Sequence, residues 1–511
     1  MLFCNIDTGD LYTMKKIKTI FSEQKNQLSL PLMIFVYLSR AVFLISCFTV
    51  SSPKEAVYPL ISFFLTYLIS FCRLISKEGS FLHSLSHRIT VLICASSLVS
   101  CFVGQTLGVL EKIPDYDIVM SAVTGVMSTL FGYYITLALK DITNKRDCGF
   151  VSSSAFFISG TIVLFREIIE FFCDFFFGTN FSHVEQIGDD HWFFRLFGIG
   201  KGVPQQRPLY DTDEDILISL VFSAIATAFI YIFLRSRNKN LYIKEKRTAF
   251  SFKALPERIS DKIFIEIDKA KADTNIWDIL IWWITRSSML YAIISMDVVA
   301  EQILMAANLL GTFAITLMHL IFKPDSLFCK INYRVQSWVC LIVFTGSYMG
   351  HYTFVYNHLP RFDLFLHFVS GFITVAAGYY AARTFMKPGS KHNILLICVY
   401  AFCISGFIMP FWEVFEFVGD FLFGSANQGF YWAPSDSSFF FKVFGHGVGN
   451  TSLYYLYDTI YDVLLALLTT VISTVWLYIS LLLNLRKEND CKSEAAEKIT
   501  AEAAEKITAD C

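Results

Sequence analysis

Apolar residues in this chain come in long blocks rather than in alternation with polar ones. Twelve runs have the character of bilayer spans, each of which needs about 20 apolar residues. They lie near residues 30–50, 58–72, 89–108, 117–139, 150–177, 213–235, 276–297, 303–322, 335–355, 363–385, 393–423 and 459–484. This pattern predicts an all-α, polytopic transmembrane protein of about twelve spans. The first run, starting near Leu30, reads as a retained span and not as a cleaved signal, with Met14 as an alternative start. The linkers between runs are alternately basic. Lysine and arginine gather in MKKIK (Met14 to Lys18), at Arg73, Lys77 and Arg88, at Lys140, Lys145 and Arg146, and in RSRNKNLYIKEKR (Arg235 to Arg247). They gather again at Lys323, Lys330 and Arg334, at Lys387 and Lys391, and at Arg486 and Lys487. Basic linkers stay in the cytoplasm. Both termini are therefore expected inside, and the long loops 178–212 and 424–458 outside.

The pattern repeats. Asp117, Gly125, Gly132 and Tyr133–Tyr134 recur as Asp363, Gly371, Gly378 and Tyr379–Tyr380, at an offset of 246 residues (363 − 117). Glu167, Glu170, Asp174 and Gly178 recur as Glu413, Glu416, Asp420 and Gly424, and Arg40 and Arg88 as Arg286 and Arg334, at the same offset. YDTDED (Tyr210 to Asp215) recurs as YDTIYD (Tyr457 to Asp462), one residue further on. Two six-span repeats follow. An even number of spans per repeat makes them parallel. The expected organisation is a cytoplasmic segment 1–29, a first repeat 30–235, a basic linker 236–275, a second repeat 276–484 and a polar tail 485–511, solvated or disordered.

Composition agrees with a membrane chain. Apolar residues make up 54%, Phe alone contributes 52, and charged residues make up 17%, against roughly 25% in soluble domains. Mean hydropathy is +0.51. The net charge of −2, with no basic patch, gives no reason to expect a nucleic-acid partner. The thirteen cysteines show neither a disulfide framework nor a zinc spacing.

The charges inside the runs carry the chemistry. FWEVFEFVGDFLFG (Phe411 to Gly424) places Glu413, Glu416 and Asp420 on one face of a helix, and FREIIEFFCDFFFG (Phe165 to Gly178) repeats it with Glu167, Glu170 and Asp174. Asp363 and His367, and likewise Asp458 and Asp462, are one turn apart at the starts of their runs. A carboxylate at the bilayer centre costs about 3 kcal/mol, so these groups must be protonated, paired, hydrated or bound to metal. Carboxylates with one imidazole suit a divalent cation: Mn, Fe or Zn, or Mg and Ca if the imidazole is a bystander. Helix capping by Asp363 and Asp458 and structural pairing of Glu413 with Arg286, and of Glu167 with Arg40, are the plainer alternatives. The repeats differ at two positions: His367 corresponds to Ser121, and Trp412 to Arg166. The working site is therefore expected in the second repeat. Glu413, Glu416, His367, Asp458 and Asp363 would be metal ligands there, with Asp420 or Asp462 as base. Asp117, Glu167, Glu170, Asp174, Asp211 and Asp215 would form a degenerate copy, with Arg166 supplying internal charge compensation. The glycine pairs read as helix-packing positions. The segments FFRLFGIGKG (Phe193 to Gly202) and FFKVFGHGVG (Phe440 to Gly449) read as interfacial anchors or as lids over the site.

Each half resembles the YjdF-like family of six-span bacterial inner-membrane proteins. The resemblance rests on Asp363-Leu-Phe-Leu-His367-Phe368, on Glu413 with Glu416, and on Tyr457-Asp458 with Asp462, where Tyr stands for the family's Trp. The first element is also similar, more weakly, to VanZ-like membrane proteins. The resemblance implies a bacterial plasma membrane and a six-span unit, not a substrate. Two functions remain open: a metal-dependent enzyme acting at the outer leaflet on a lipid-linked, envelope or small-molecule substrate, and a cation- or proton-coupled transporter. A membrane scaffold is the third.

Overall fold

The computed structural model describes residues 8–50, 56–77, 80–113, 116–141, 148–179, 207–237, 255–321, 329, 331–353, 359, 362–383, 389–423, 439–448 and 456–509. All regular structure among them is helical. The first half of the chain contains α1 (Thr8–Gln27), α2 (Leu30–Thr49), α3 (Val57–Leu65), α4 (Leu68–Ile75), α5 (Arg88–Ser97), α6 (Tyr116–Asp141), α7 (Cys148–Phe177) and α8 (Arg207–Arg237). The second contains α9 (Leu255–Asp273), α10 (Ile276–Ser295), α11 (Val299–Gly311), α12 (Ala314–Ile321), α13 (Arg334–Val343), α14 (Phe362–Arg383), α15 (Lys391–Phe423), α16 (Phe439–Phe444) and α17 (Tyr457–Ala509). Helices α5 and α13 run on as π-helices, Leu98–Thr106 and Phe344–Tyr352. Among the described residues, seven helices are long and apolar enough to cross a membrane, and up to nine spans result if each bent pair, α3/α4 and α11/α12, counts as one. The chain is thus a multi-pass helical membrane protein.

The broken spans explain two of the arginines inside apolar runs, Arg40, which is buried, and Arg286, which is half-buried. Helix α3 meets α4 at 49°, and α11 meets α12 at 61°. A break interrupts the backbone ladder, and an unsatisfied carbonyl in lipid costs several kcal/mol. Arg40 on α2 donates to the Thr66 carbonyl at 2.8 Å and to Thr66 Oγ1 at 3.1 Å, with its guanidinium 3.8 Å over the Tyr67 ring. Arg286 on α10 does the same to the Thr312 carbonyl at 2.8 Å and to Thr312 Oγ1 at 3.2 Å, 3.8 Å over Phe313. The expectation that these arginines pair with Glu167 and Glu413 is therefore corrected: their donors cap the broken helices. Arg40→Leu is expected to lose about 1–3 kcal/mol, the cost of a stranded buried acceptor, read as a lower midpoint of thermal unfolding in detergent. Arg286→Leu should lose a similar amount.

Two short amphipathic helices precede the first apolar run of each repeat. Glu23 on α1 pairs with Arg73 on α4. Glu266 on α9 pairs with His319 on α12 at 2.7 Å and accepts from Tyr333 Oη at 3.1 Å. Arg73 and His319 occupy equivalent positions. The segments expected to be a plain N-terminal stretch and a linker thus contain packed helices. The polar tail is helical as well, for α17 continues through Ala509. Its repeats of Ala, Glu and Lys are strong helix formers. FFRLFGIGKG and most of RSRNKNLYIKEKR lie outside the described residues.

By contacts, the chain forms two compact units: residues 1–244 with 406–463, and residues 245–405 with 464–511. In the first, α6, α7 and α8 pack closely. A Cβ at Gly132 would meet the Ala155 carbonyl oxygen at 2.6 Å, and one at Gly125 would strike the Ser219 backbone. Between these glycines three hydroxyls join the helices: Ser128 to Ser159 at 2.6 Å and Ser159 to Ser223 at 2.7 Å. The second unit holds the same design. A Cβ at Gly378 would meet the Ala401 carbonyl oxygen at 2.8 Å. Ser405 bonds Thr374 at 2.6 Å and Thr470 at 2.7 Å.

The first unit also contains contacts between the two repeats. Phe407 packs on Phe156 and Phe157, with centroids 4.7 and 5.4 Å away, and fills the space in front of Gly160. Gly406 in turn faces Thr161, whose Oγ1 a Cβ would meet at 2.8 Å. Gly160 and Gly406 are equivalent, as are Thr161 and Phe407, so the contact is reciprocal. Val414 packs with Val163, Ile216 and Leu220. Phe417 meets the Tyr210 ring edge to face at 5.1 Å.

Candidate functional site

Three helices of the first repeat bring charge together. Arg166, Glu167 and Glu170 lie on α7, Ser121 on α6, and Asp211 and Asp215 in the opening turns of α8. Arg166 sits among the acids. Its Nε donates to Glu170 Oε1 at 2.7 Å and its Nη2 to Asp215 Oδ2 at 2.5 Å. Nη1 lies 3.7 Å from Glu167 Oε1 and donates to Ser121 Oγ at 3.3 Å. Ser121 Oγ also donates to Asp215. Glu167, Glu170 and Asp215 are all at most 6% exposed. Each offers one carboxylate oxygen to a group whose members lie within 4.8 Å of one another, a spacing that could hold a metal ion. Glu167 Oε1 is buried and makes no hydrogen bond. The geometry matches the internal charge compensation expected of Arg166: a planar fork answering two carboxylates.

The remaining acids of this copy are distributed differently. Asp117 stands in the first turn of α6, where its Oδ1 accepts from the Ile118 amide at 3.0 Å. Asp174 accepts from Thr179 at 2.5 Å. Gly178, in the left-handed conformation at φ 63°, closes α7 through a 3.0 Å bond to the Asp174 carbonyl. Asp211 is buried beside two acids that pattern matching passes over, Asp213 and Glu214, which are 0% and 3% exposed. They stand in YDTDED but become Ile460 and Tyr461 in the second copy, so comparison of the two repeats discards them. Tyr58 on α3, near enough to feel the charges of Glu170 and Arg166, carries no sequence signal either.

The second repeat's acids are also placed on helices as the sequence predicts. Glu413, Glu416 and Asp420 lie on α15, with Glu413 2% and Asp420 1% exposed. Asp458 and Asp462 lie in the opening turns of α17, and Asp462 is 3% exposed. Asp363 and His367 share α14, with His367 Nε2 3.6 Å from Asp363 Oδ1. Trp412, in the place of Arg166, donates from its indole to Glu416 Oε1 at 2.7 Å. A neutral donor thus replaces a cation at the same hydrogen-bonding position. Pro410, three residues before Glu413, removes the backbone donor that would close on the Gly406 carbonyl.

The segment expected as a lid is described through Val448. Helix α16 buries Phe441 at 5% exposure against His446 and Tyr457, with centroids 4.7 and 6.0 Å away. Gly445 and Gly447 then take positive φ, and the Val448 amide donates to the Phe175 carbonyl at 2.8 Å. That carbonyl belongs to the last turn of α7, where the chain past the helix end supplies donors. The segment therefore caps the acid-bearing helix of the other repeat.

No curated protein and no solved structure matches the chain. One family model, described as a predicted membrane protein, matches it twice, over residues 31–236 and 279–482. The two matches follow the two repeats, and with them the chain belongs to the DUF2238 family of predicted membrane proteins, carrying two copies in tandem.

Proposed function

We propose that this protein is a twelve-span bacterial plasma-membrane protein, with both termini cytoplasmic, whose second repeat binds a divalent cation. Glu413, Glu416, Asp458, His367 and Asp363 are the proposed ligands. The observation that carries the reading is the exchange at two equivalent positions. In the first repeat the cluster is built around Arg166, with Ser121 beside it. The second repeat keeps the carboxylates but has Trp412 for Arg166 and His367 for Ser121. It thus gives up a built-in cation and gains an imidazole, the change that a hard-oxygen and nitrogen metal site requires.

The reading extends to an enzyme acting at the outer leaflet on a lipid-linked, envelope or small-molecule substrate. A divalent cation supplies Lewis acidity and an activated water. Asp420 or Asp462 would take the proton. Two features favour this over transport. The first-repeat cluster draws its charged groups from α6, α7 and α8 of one repeat. Further along the same helices, the glycines and joined hydroxyls close the packing. A transport path would place the acids at the repeat interface.

Elemental analysis of the purified full chain tests the metal reading. Wild type is expected to retain about one divalent ion per chain, and Glu413→Gln and His367→Ala to lose it. Metal-free wild type, or variants that retain the ion, would sink it.

A further inference from the structure

The first repeat holds a metal-like cluster that already contains a cation. Three buried carboxylates offer oxygens within 4.8 Å of one another. The Arg166 guanidinium contacts Glu170 at 2.7 Å, Asp215 at 2.5 Å and Glu167 at 3.7 Å. Of these acids, Glu167 is the poorly served one. It is 5% exposed, and its Oε1 has no hydrogen-bond partner. A guanidinium is planar and approaches its carboxylates in one fork. Here the fork serves Glu170 and Asp215 and leaves Glu167 at ion-pair distance. A small spherical ion would have no such directional limit.

We infer that Arg166 is a tethered counter-cation occupying a latent divalent-metal site, so that the first repeat is a metal site closed by its own side chain. The inference rests on the metal reading of the second repeat, whose equivalent of Arg166 is Trp412. It assigns Glu167, Glu170 and Asp215 as the ligands released when the guanidinium is removed. Arg166 also keeps Ser121 turned to the cluster through its 3.3 Å bond. The equivalent position in the second repeat is His367, so Ser121→His should add a nitrogen ligand to the opened site. The chemical class of the ligand is a divalent ion that accepts carboxylate oxygen and imidazole, for which Mn²⁺ is a suitable probe.

The test is the Mn²⁺ stoichiometry of the full chain in detergent, read by elemental analysis after removal of free metal. Wild type should bind one ion. Ser121→His with Arg166→Trp should bind two, and the same pair in a Glu413→Gln background should bind one, at the first repeat. Arg166→Lys, which keeps a tethered positive charge, should remain at one. Arg166→Gln gives a second, smaller route to the opened site and should also bind two, so the inference stays testable if the tryptophan variant does not fold. Opened variants that elute as folded protein and still bind one ion would overturn the inference while leaving the second-repeat reading intact. Two ions in wild type would overturn it as well, because Arg166 would then exclude nothing. No ion in wild type, with none in Glu413→Gln, would remove the second-repeat reading and this inference with it.

Discussion

Arg166→Leu in metal-free buffer is expected to destabilise the protein by about 3–5 kcal/mol, the range for removing one partner of a buried charge group. The size follows from the number of groups affected. Arg166 is the donor to Glu170 and Asp215, lies 3.7 Å from Glu167, and orients Ser121. Its side chain is 19% exposed, so solvent replaces little of what is lost. Leucine strands the three carboxylates together. The expected size of the loss changes with conditions. A divalent ion that binds only the folded state at a hundred times its Kd restores about 2.7 kcal/mol, so Mn²⁺ should raise the unfolding midpoint of Arg166→Leu far more than that of Arg166→Lys. Trp412→Leu is the matched control in the second repeat. It removes a neutral hydrogen bond to Glu416, worth roughly 1 kcal/mol, and should shift the midpoint correspondingly less. Thermal unfolding followed by circular dichroism in a mild detergent would measure all three. Equal midpoints for Arg166→Leu and Arg166→Lys, with and without Mn²⁺, would show that the guanidinium is not the counter-charge of this cluster.

The contrast between Arg166 and Arg40 shows what could be read from the chain and what could not. Both are arginines inside apolar runs, and hydropathy marks both as costly. Sequence spacing could place Arg166 beside Glu170, because i to i+4 neighbours on one helix are determined locally. It could not find the partner of Arg40, because that partner is the Thr66 carbonyl at a helix break. Hydropathy sums apolarity and is blind to where the backbone ladder stops, so the breaks at Thr66 and Thr312 were invisible while the runs containing them were plain. The duplication was legible for the opposite reason. An offset of 246 residues holds for residues, and the fold repeats it in the arginine caps, the π-helices and the hydroxyl clusters. Differences between copies were the weak point: Asp213 and Glu214 are as buried as Asp215, yet their counterparts are Ile460 and Tyr461. The amphipathic helices α1 and α9 went unread because their polar faces outweigh their apolar ones in any averaged window.

The glycines give the second large effect. Gly132→Val is expected to cost about 3 kcal/mol or more, and Gly378→Val a similar amount, well above what propensity alone predicts. Replacing glycine in a helix interior normally gains stability, up to about 1 kcal/mol for alanine. Here the side chain has nowhere to go. A Cβ at Gly132 would meet the Ala155 carbonyl oxygen at 2.6 Å, and one at Gly378 the Ala401 carbonyl oxygen at 2.8 Å. The obstacle is backbone, which cannot rotate away as a side-chain tip can, so the two helices must separate. In lipid, helices hold together through close packing and short interhelical hydrogen bonds rather than through a hydrophobic drive. Separation would therefore also stretch the neighbouring Ser128–Ser159 and Thr374–Ser405 bonds, both 2.6 Å. Gly311→Ala is the control, for no atom lies within 4 Å of its Cβ position. It should be neutral or slightly stabilising. The effect should reach the charge cluster as well. Helices α6 and α7 carry both the Gly132 contact and the pair Ser121 and Arg166, so moving them apart lengthens the 3.3 Å bond from Arg166 to Ser121. In a double-mutant cycle, Gly132→Val with Arg166→Leu should cost at least 0.5 kcal/mol less than the two single losses added together, the lower bound for coupled sites. Simple additivity would mean that the glycine contacts set helix packing without setting the geometry of the charges.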